Sequence, residues 1–203
     1  LPPVTSKIFR DCRYARQGLG LWQPVKRPNA LPRALEPWLL DSRSLTAKLR
    51  DFGNGQLNVK VLRQVWERPR LSEARALKLK KPGQMCLIRE VVLQGPSQIP
   101  WVYARSVFPA VSLTGSLRHL RHLDNRPLGG YLFSHPNLGR SPISIATIPE
   151  NTGVPAALQQ HQLLWGRRSV FSLYGRHILV SEVFLPQFVH QVSGDNCHAE
   201  HQP

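Results

Sequence analysis

Apolar and polar positions alternate most cleanly between Trp165 and Pro186, where two apolar runs flank Gly175-Arg176. That pattern predicts a β-hairpin closed by a tight primed turn. Successive side chains on a strand point to opposite faces. Ile178, Val180, Glu182 and Phe184 therefore share one face, and Leu179, Ser181, Val183 and Leu185 the other. Glu182 interrupts an apolar face. A lone buried carboxylate is costly, so this one must be paired, protonated or kept for a ligand.

A second predicted strand, Met85 to Leu93, does the same with the opposite charge. Met85, Leu87, Arg89, Val91 and Leu93 share a face on which Arg89 is the only polar member, while Glu90 points the other way. Two readings follow. Arg89 and Glu182 could form one structural ion pair inside a sheet. Alternatively they mark the two ends of a polar-ended slot in an apolar pocket. The guanidinium fork would then take a carboxylate, and the glutamate would be the hydrogen-bond partner of a hydroxyl.

The remaining pattern fills in an α+β chain. Pro37 opens a short helix through Trp38-Leu39-Leu40. Ser44 caps a second helix, on which Leu45, Leu49 and Phe52 fall on one face, and Gly53-Asn54-Gly55 ends it. Leu57 to Trp66 reads as a strand of impure pattern, and Ser72 to Leu79 as a helix or loop excursion. Met85–Gln94 and Trp101–Phe108 flank a long hairpin connection. Leu113, Leu117, Leu120 and Leu123 predict an amphipathic helix with His119 and His122 on its polar side. Pro127 to Phe133 is a short helix beginning at a proline, and Ser144–Ile148 is a strand. The whole predicts a single, largely antiparallel sheet with helices mainly on one face.

Composition narrows the function more by exclusion than by indication. The 203 residues suit one domain with a real core. Residues 1–33 form a basic, proline-rich arm, and 187–203 lose all pattern and read as a polar, frayed tail, so Cys197, His198 and His201 there do not read as a metal site. Three scattered cysteines permit no disulfide framework and point to a reducing compartment. No apolar run is long enough to span a membrane, so the chain is expected to be soluble and cytoplasmic. The formal charge of +15 raises nucleic acid as a partner, yet the basic residues are dispersed and no recognition signature accompanies them. A solvated basic surface is expected, with at most weak contact to an anionic membrane surface. There is no Gly-rich phosphate loop, zinc spacing, nucleophile elbow or internal repeat, so neither metal nor nucleotide cofactor is expected.

Five stretches in order carry a resemblance: Ile88-Arg-Glu90, Trp101-Val-Tyr-Ala-Arg-Ser-Val-Phe-Pro109, Pro127-Leu-Gly-Gly-Tyr-Leu-Phe133, Trp165-Gly-Arg-Arg-Ser169 and Glu182-Val-Phe-Leu-Pro186. Over residues 34–186 the chain resembles the bacterial chorismate pyruvate-lyase family. The resemblance implies a six-stranded antiparallel sheet and a buried site closed by helical flaps. It also implies cofactor-free conversion of chorismate to 4-hydroxybenzoate and pyruvate, the first step of ubiquinone synthesis, by a monomer. By the same resemblance Arg89 holds the ring carboxylate and Glu182 stands at the ring hydroxyl. The backbone of Leu128 meets the ligand, and Leu45 falls where the family often has methionine. Arg167 and Arg168 adjoin the sheet and are candidates either for the enolpyruvyl carboxylate or for a structural role at a strand start. The competing expectation is a non-catalytic effector-binding domain of the same fold, as in some transcription regulators. Those normally follow a winged helix, for which 33 irregular residues are too few.

Overall fold

The computed structural model describes residues 22–24, 31–80, 83–150, 153–158 and 162–199, with side chains as far as residue 194. Most of the basic arm lies outside these residues. Five of the strands are long. β2 (Asn58–Glu67), β3 (Cys86–Gln94), β4 (Pro100–Pro109) and β8 (Arg176–Phe184) pair antiparallel in the order β2-β3-β4-β8, and β7 (Leu164–Leu173) and β6 (Ser144–Ile148) continue it beyond β8. Two-residue strands finish the far side: β1 (Gln23–Pro24) on β6 and β5 (Gly139–Arg140) on β7. The expected six strands are therefore present, with two short ones added. β2 is the edge, and its impure pattern follows from that position and from a register shift between Val61 and Arg63.

The hairpin joining β7 to β8 turns one residue earlier than expected. Leu173 pairs with Arg176, so the turn residues are Tyr174 and Gly175, with φ of 49° and 68°. A type I′ turn needs positive φ at both positions and prefers glycine at the second. On β8 the two faces divide as the alternation requires. Ile178, Val180 and Phe184 pack on one side, and Leu179, Val183 and Leu185 on the other.

The helices that cover the site face are α1 (Glu36–Leu39), α2 (Leu45–Phe52) and α4 (Leu128–Phe133). The Ser44 hydroxyl accepts from the Ala47 amide and caps α2. The leucine-rich stretch after β4 is a 3₁₀ segment, Gly115–His122, rather than an α-helix. Leu117, Leu120 and Leu123 are spaced by three, which matches the 3₁₀ period, and all three are buried. The opposite face carries α3 (Leu71–Ala76), whose Glu73 reaches the buried Arg105 on β4 at 2.7 Å.

The largest departure is at the end of the chain. Residues read as a frayed tail form α5, Pro186–Ala199. Its apolar residues are few, but Phe188 and Val192 stand one turn apart and both are buried. Phe188 packs edge-on to Trp38 at 4.8 Å and stacks with Phe184. Gln191 accepts the indole N–H of Trp101 at 3.0 Å. A sparse i, i+4 pair anchored by aromatics is enough to fix a helix whose own periodicity is weak. The side chains of Cys197, His198 and His201 lie outside the described residues.

Candidate active site

Two apolar clusters divide the site face of the sheet. One gathers Trp38, Leu45, Leu49, Val91, Leu93, Trp101, Phe184 and Phe188. The other gathers Leu87, Phe108, Leu117, Leu128, Phe171 and Ile178. Between them the strands present polar or small residues in two adjacent rows. Register places Arg89, Ser106, Val180 and Ser169 in one row, and Val91, Ala104, Glu182 and Arg167 in the next. Ala104 and Ser106 on central β4 leave a shallow floor where larger neighbours would fill the space. The result is a cavity of about 560 Å³, mouth included, whose roof is Leu45 and Thr46 of α2 with Leu128, Gly129 and Leu132 of α4. The roof is tightly fitted, since a Cβ on Gly129 would stand 2.8 Å from the Thr46 hydroxyl.

Arg89 and Glu182 stand two strands and one row apart, so the lateral step alone is roughly 10 Å. They line one cavity but do not pair with each other, which disposes of the structural ion pair. Arg89 is 2% exposed and has no carboxylate within hydrogen-bonding reach among the described residues, although the Asp124 charge is near enough to favour its cation. Its Nη2 donates to the carbonyls of Asp124 at 2.7 Å and Arg126 at 3.1 Å, and its buried Nε has no partner. Burial pushes the guanidinium pKa down to about 10, which leaves it a cation at neutral pH. It is held by carbonyls and not neutralised, an arrangement suited to receiving an anion.

Glu182 pairs with Arg167 across the hairpin. Arg167 Nε donates to Glu182 Oε2 at 2.7 Å, and Arg167 Nη1 donates to the carbonyls of Trp38 and Asp41 at 2.8 and 2.7 Å. Arg167 is thus a fixed strut between β7, the glutamate, α1 and the segment just after it. It lines the cavity, but most of its donors are used. Arg168 does not line the cavity. Strand alternation sends it to the opposite face, where it lies over the Trp22 ring at 4.8 Å. The expectation that it could bind substrate is corrected by that geometry. Leu45 and Leu128 are both buried in the roof.

Sequence reasoning passed over Arg140, Arg43 and the small floor residues. Arg140, on β5 opposite Phe171, lays its guanidinium over that ring at 5.0 Å and donates from Nε to Ser169 Oγ at 3.0 Å and from Nη1 to the Ser42 carbonyl. Burial pulls its pKa below the ordinary arginine value. Arg43, at the rim, is bound by two nitrogens to Asp41 and is 82% exposed. A two-residue strand gives no periodic signal, so nothing marked Arg140. The floor did leave a trace: Ala104 and Ser106 drop in volume between Val102 and Phe108 on one strand face.

Similarity to known proteins agrees with this architecture. The effector domain of PhnF from Mycobacterium smegmatis superposes with a TM-score of 0.53 at 13% identity, over 73% of this chain and 91% of that one, which is a likeness of fold alone. Three curated relatives each bear the name "Probable chorismate pyruvate-lyase". The one from Aromatoleum aromaticum is 39% identical over 171 residues, 80% of this chain and 91% of its own length. That from an Azoarcus species is 40% identical over 171 residues, 80% of this chain and 89% of its own. That from Pseudomonas aeruginosa is 38% identical over 167 residues, 82% of this chain and 92% of its own. The sequence model of the family described as chorismate lyase matches residues 18–193, which takes in the first half of the helix α5 that the sequence pattern concealed. With a family match over most of its length, and relatives of that name near 40% identity, the chain belongs to the chorismate lyase family.

Proposed function

We propose that the protein converts chorismate to 4-hydroxybenzoate and pyruvate, the family's first step toward ubiquinone, as a cytoplasmic enzyme without a cofactor. The observation that carries this reading is an un-neutralised Arg89 facing Glu182 across a small-residue floor in a roofed apolar cavity. A flat ring fits over Ala104 and Ser106. Its carboxylate meets the Arg89 fork, and the hydroxyl at the opposite ring carbon meets Glu182. The C–O bond to the enolpyruvyl arm breaks, and its electron pair leaves with the arm as the enolate of pyruvate. The carbon bearing the hydroxyl loses its hydrogen as a proton, and the ring becomes aromatic. The departing enolate takes up a proton and is released as pyruvate. Aromatisation drives the reaction, so the chain's own task is to orient the ring, exclude water beneath α2 and α4, and stabilise developing charge.

The test is direct. Purified protein mixed with chorismate should release 4-hydroxybenzoate and pyruvate in equal amounts, with chelator present. Failure to form either product, with measurable binding of some other small acid, would favour a non-catalytic effector-binding role and overturn the lyase reading.

A further inference from the structure

The cavity has more positive charge than one carboxylate requires. Its lining carries Arg43, Arg89, Arg140 and Arg167 against Glu182 alone. Two of the four are already neutralised, Arg167 by Glu182 and Arg43 by Asp41. Arg89 and Arg140 remain, and both are held by carbonyls, a hydroxyl or a ring, with no carboxylate within hydrogen-bonding reach among the described residues. They occupy opposite ends of one row of the sheet. Arg89 is on β3, while Arg140 grips Ser169 on β7, three strands and roughly 14 Å of backbone away. Two uncompensated guanidiniums facing one cavity suit a dianion whose charges lie at its two ends.

Resting on the lyase reading, we propose that Arg140 is the substrate-binding residue for the second carboxylate, the one on the enolpyruvyl arm. It would thereby contribute to binding the dianionic substrate and not the monoanionic aromatic product. The substrate's own geometry selects it. The ether carbon adjoins the carbon bearing the hydroxyl, and that carbon lies across the ring from the ring carboxylate. With the ring carboxylate on Arg89 and the hydroxyl at Glu182, the arm is directed to the Glu182 end of the cavity, where Arg140 waits beyond β7. The other cations fail on position or commitment. Arg167 spends Nε and Nη1 on Glu182 and two carbonyls, Arg168 lies on the far face under Trp22, and Arg43 is an exposed rim residue clamped to Asp41. Once the ether bond breaks, the anion held by Arg140 belongs to pyruvate. Arg140 therefore contributes to substrate capture and not to holding the aromatic product.

The experiment compares Arg140→Gln and Arg140→Lys with the parent in three measurements: chorismate turnover, 4-hydroxybenzoate affinity by titration, and thermal melting. In Arg140→Gln the KM for chorismate should rise at least about tenfold, the loss expected for one hydrogen bond to a charged group. Affinity for 4-hydroxybenzoate should stay within about twofold of the parent, well inside the spread of a single lost contact. Arg140→Lys keeps the charge and should recover part of the substrate affinity. An unchanged chorismate KM in Arg140→Gln overturns the assignment. So does a parallel loss of substrate and product affinity, which would make Arg140 a support for the Ser42 and Ser169 segments only. A parent protein that forms no product from chorismate overturns the lyase reading, and this inference with it.

Discussion

Replacing Glu182 with glutamine separates the pairing that the structure shows from the catalytic role proposed for the same side chain. Glu182 is 15% exposed and pairs with an arginine that is 1% exposed, so the pair is largely desolvated. Breaking such a pair outright costs about 3–5 kcal/mol. Glutamine does not break it outright, because its amide oxygen can still accept from Arg167 Nε. Arg167 also keeps the Trp38 and Asp41 carbonyls at 2.8 and 2.7 Å. The loss should therefore fall to about 1–3 kcal/mol, closer to the cost of weakening one charged hydrogen bond. For a chain of this size that is roughly 2–12 °C in melting temperature. Product should still bind, since an amide can bond the ring hydroxyl. Chorismate turnover should slow at least about tenfold, or 1.4 kcal/mol in the barrier, if the carboxylate stabilises the reacting centre. Melting curves and steady-state turnover on the same preparation distinguish the two contributions. A lowered melting temperature with parental kcat would show that Glu182 is only the counterion of Arg167, and the catalytic assignment would fall.

Other consequences can be checked independently. Arg89→Lys replaces a fork with a point charge and should weaken 4-hydroxybenzoate binding by roughly 2–4 kcal/mol in a calorimetric titration, and parental affinity would refute the anchor role. A Cβ at Gly95 would stand 2.1 Å from the indole of the fully buried Trp101. Gly95→Ala should accordingly lower the urea midpoint by an amount equivalent to about 1–3 kcal/mol, and an unchanged midpoint would contradict the packing. Arg43 holds the Asp41 carboxyl well below its usual range, so that pair stabilises the fold fully above about pH 4 and progressively less as pH falls. The stability gap between parent and Asp41→Asn should shrink as pH falls from about 4 toward 2, and a gap independent of pH would refute the linkage. Lacking metal or nucleotide motifs, the protein should keep full turnover after treatment with chelator, and restoration by an added metal would contradict that.

What could be read from the chain depended on whether a residue acted through its own strand or through a neighbour. Strand alternation alone isolated Arg89 and Glu182, because each breaks an apolar face of four or more residues. It also sent Arg168 away from Arg167, yet nothing in that pattern said which of the two faced the cavity. That question is answered only by register, which aligns Arg167 with Glu182 and Glu182 with Ala104. The partner of Glu182 was likewise out of reach, since it depends on the pairing of β7 with β8. The helix α5 was missed for a different reason. Its periodic signal is weak, and Phe188 gains its place from Trp38, Phe52 and Trp101, residues far away in sequence. The 3₁₀ segment was misread as α-helical because leucines at spacings of three and four satisfy both periods in a short window.

The same sheet places its buried arginines in two environments, and the contrast bears on function. On the face away from the cavity, Arg105 is buried among Glu73 at 2.7 Å, Glu90 and Glu67, and these carboxylates raise its pKa despite burial. A buried cation so fully satisfied has a structural part to play and no capacity left for an anion. On the cavity face, Arg89 is buried to the same degree with only carbonyl partners, and burial lowers its pKa. Carbonyl dipoles orient a guanidinium and offset part of its desolvation, but they do not cancel its charge. On the proposed reading, the free energy that Arg105 recovers inside the folded chain is, for Arg89, recovered when an anion enters. On that reading, substrate and product differ in how many such arginines each can satisfy. One suffices for a monocarboxylate, whereas the row from Arg89 to Arg140 provides two.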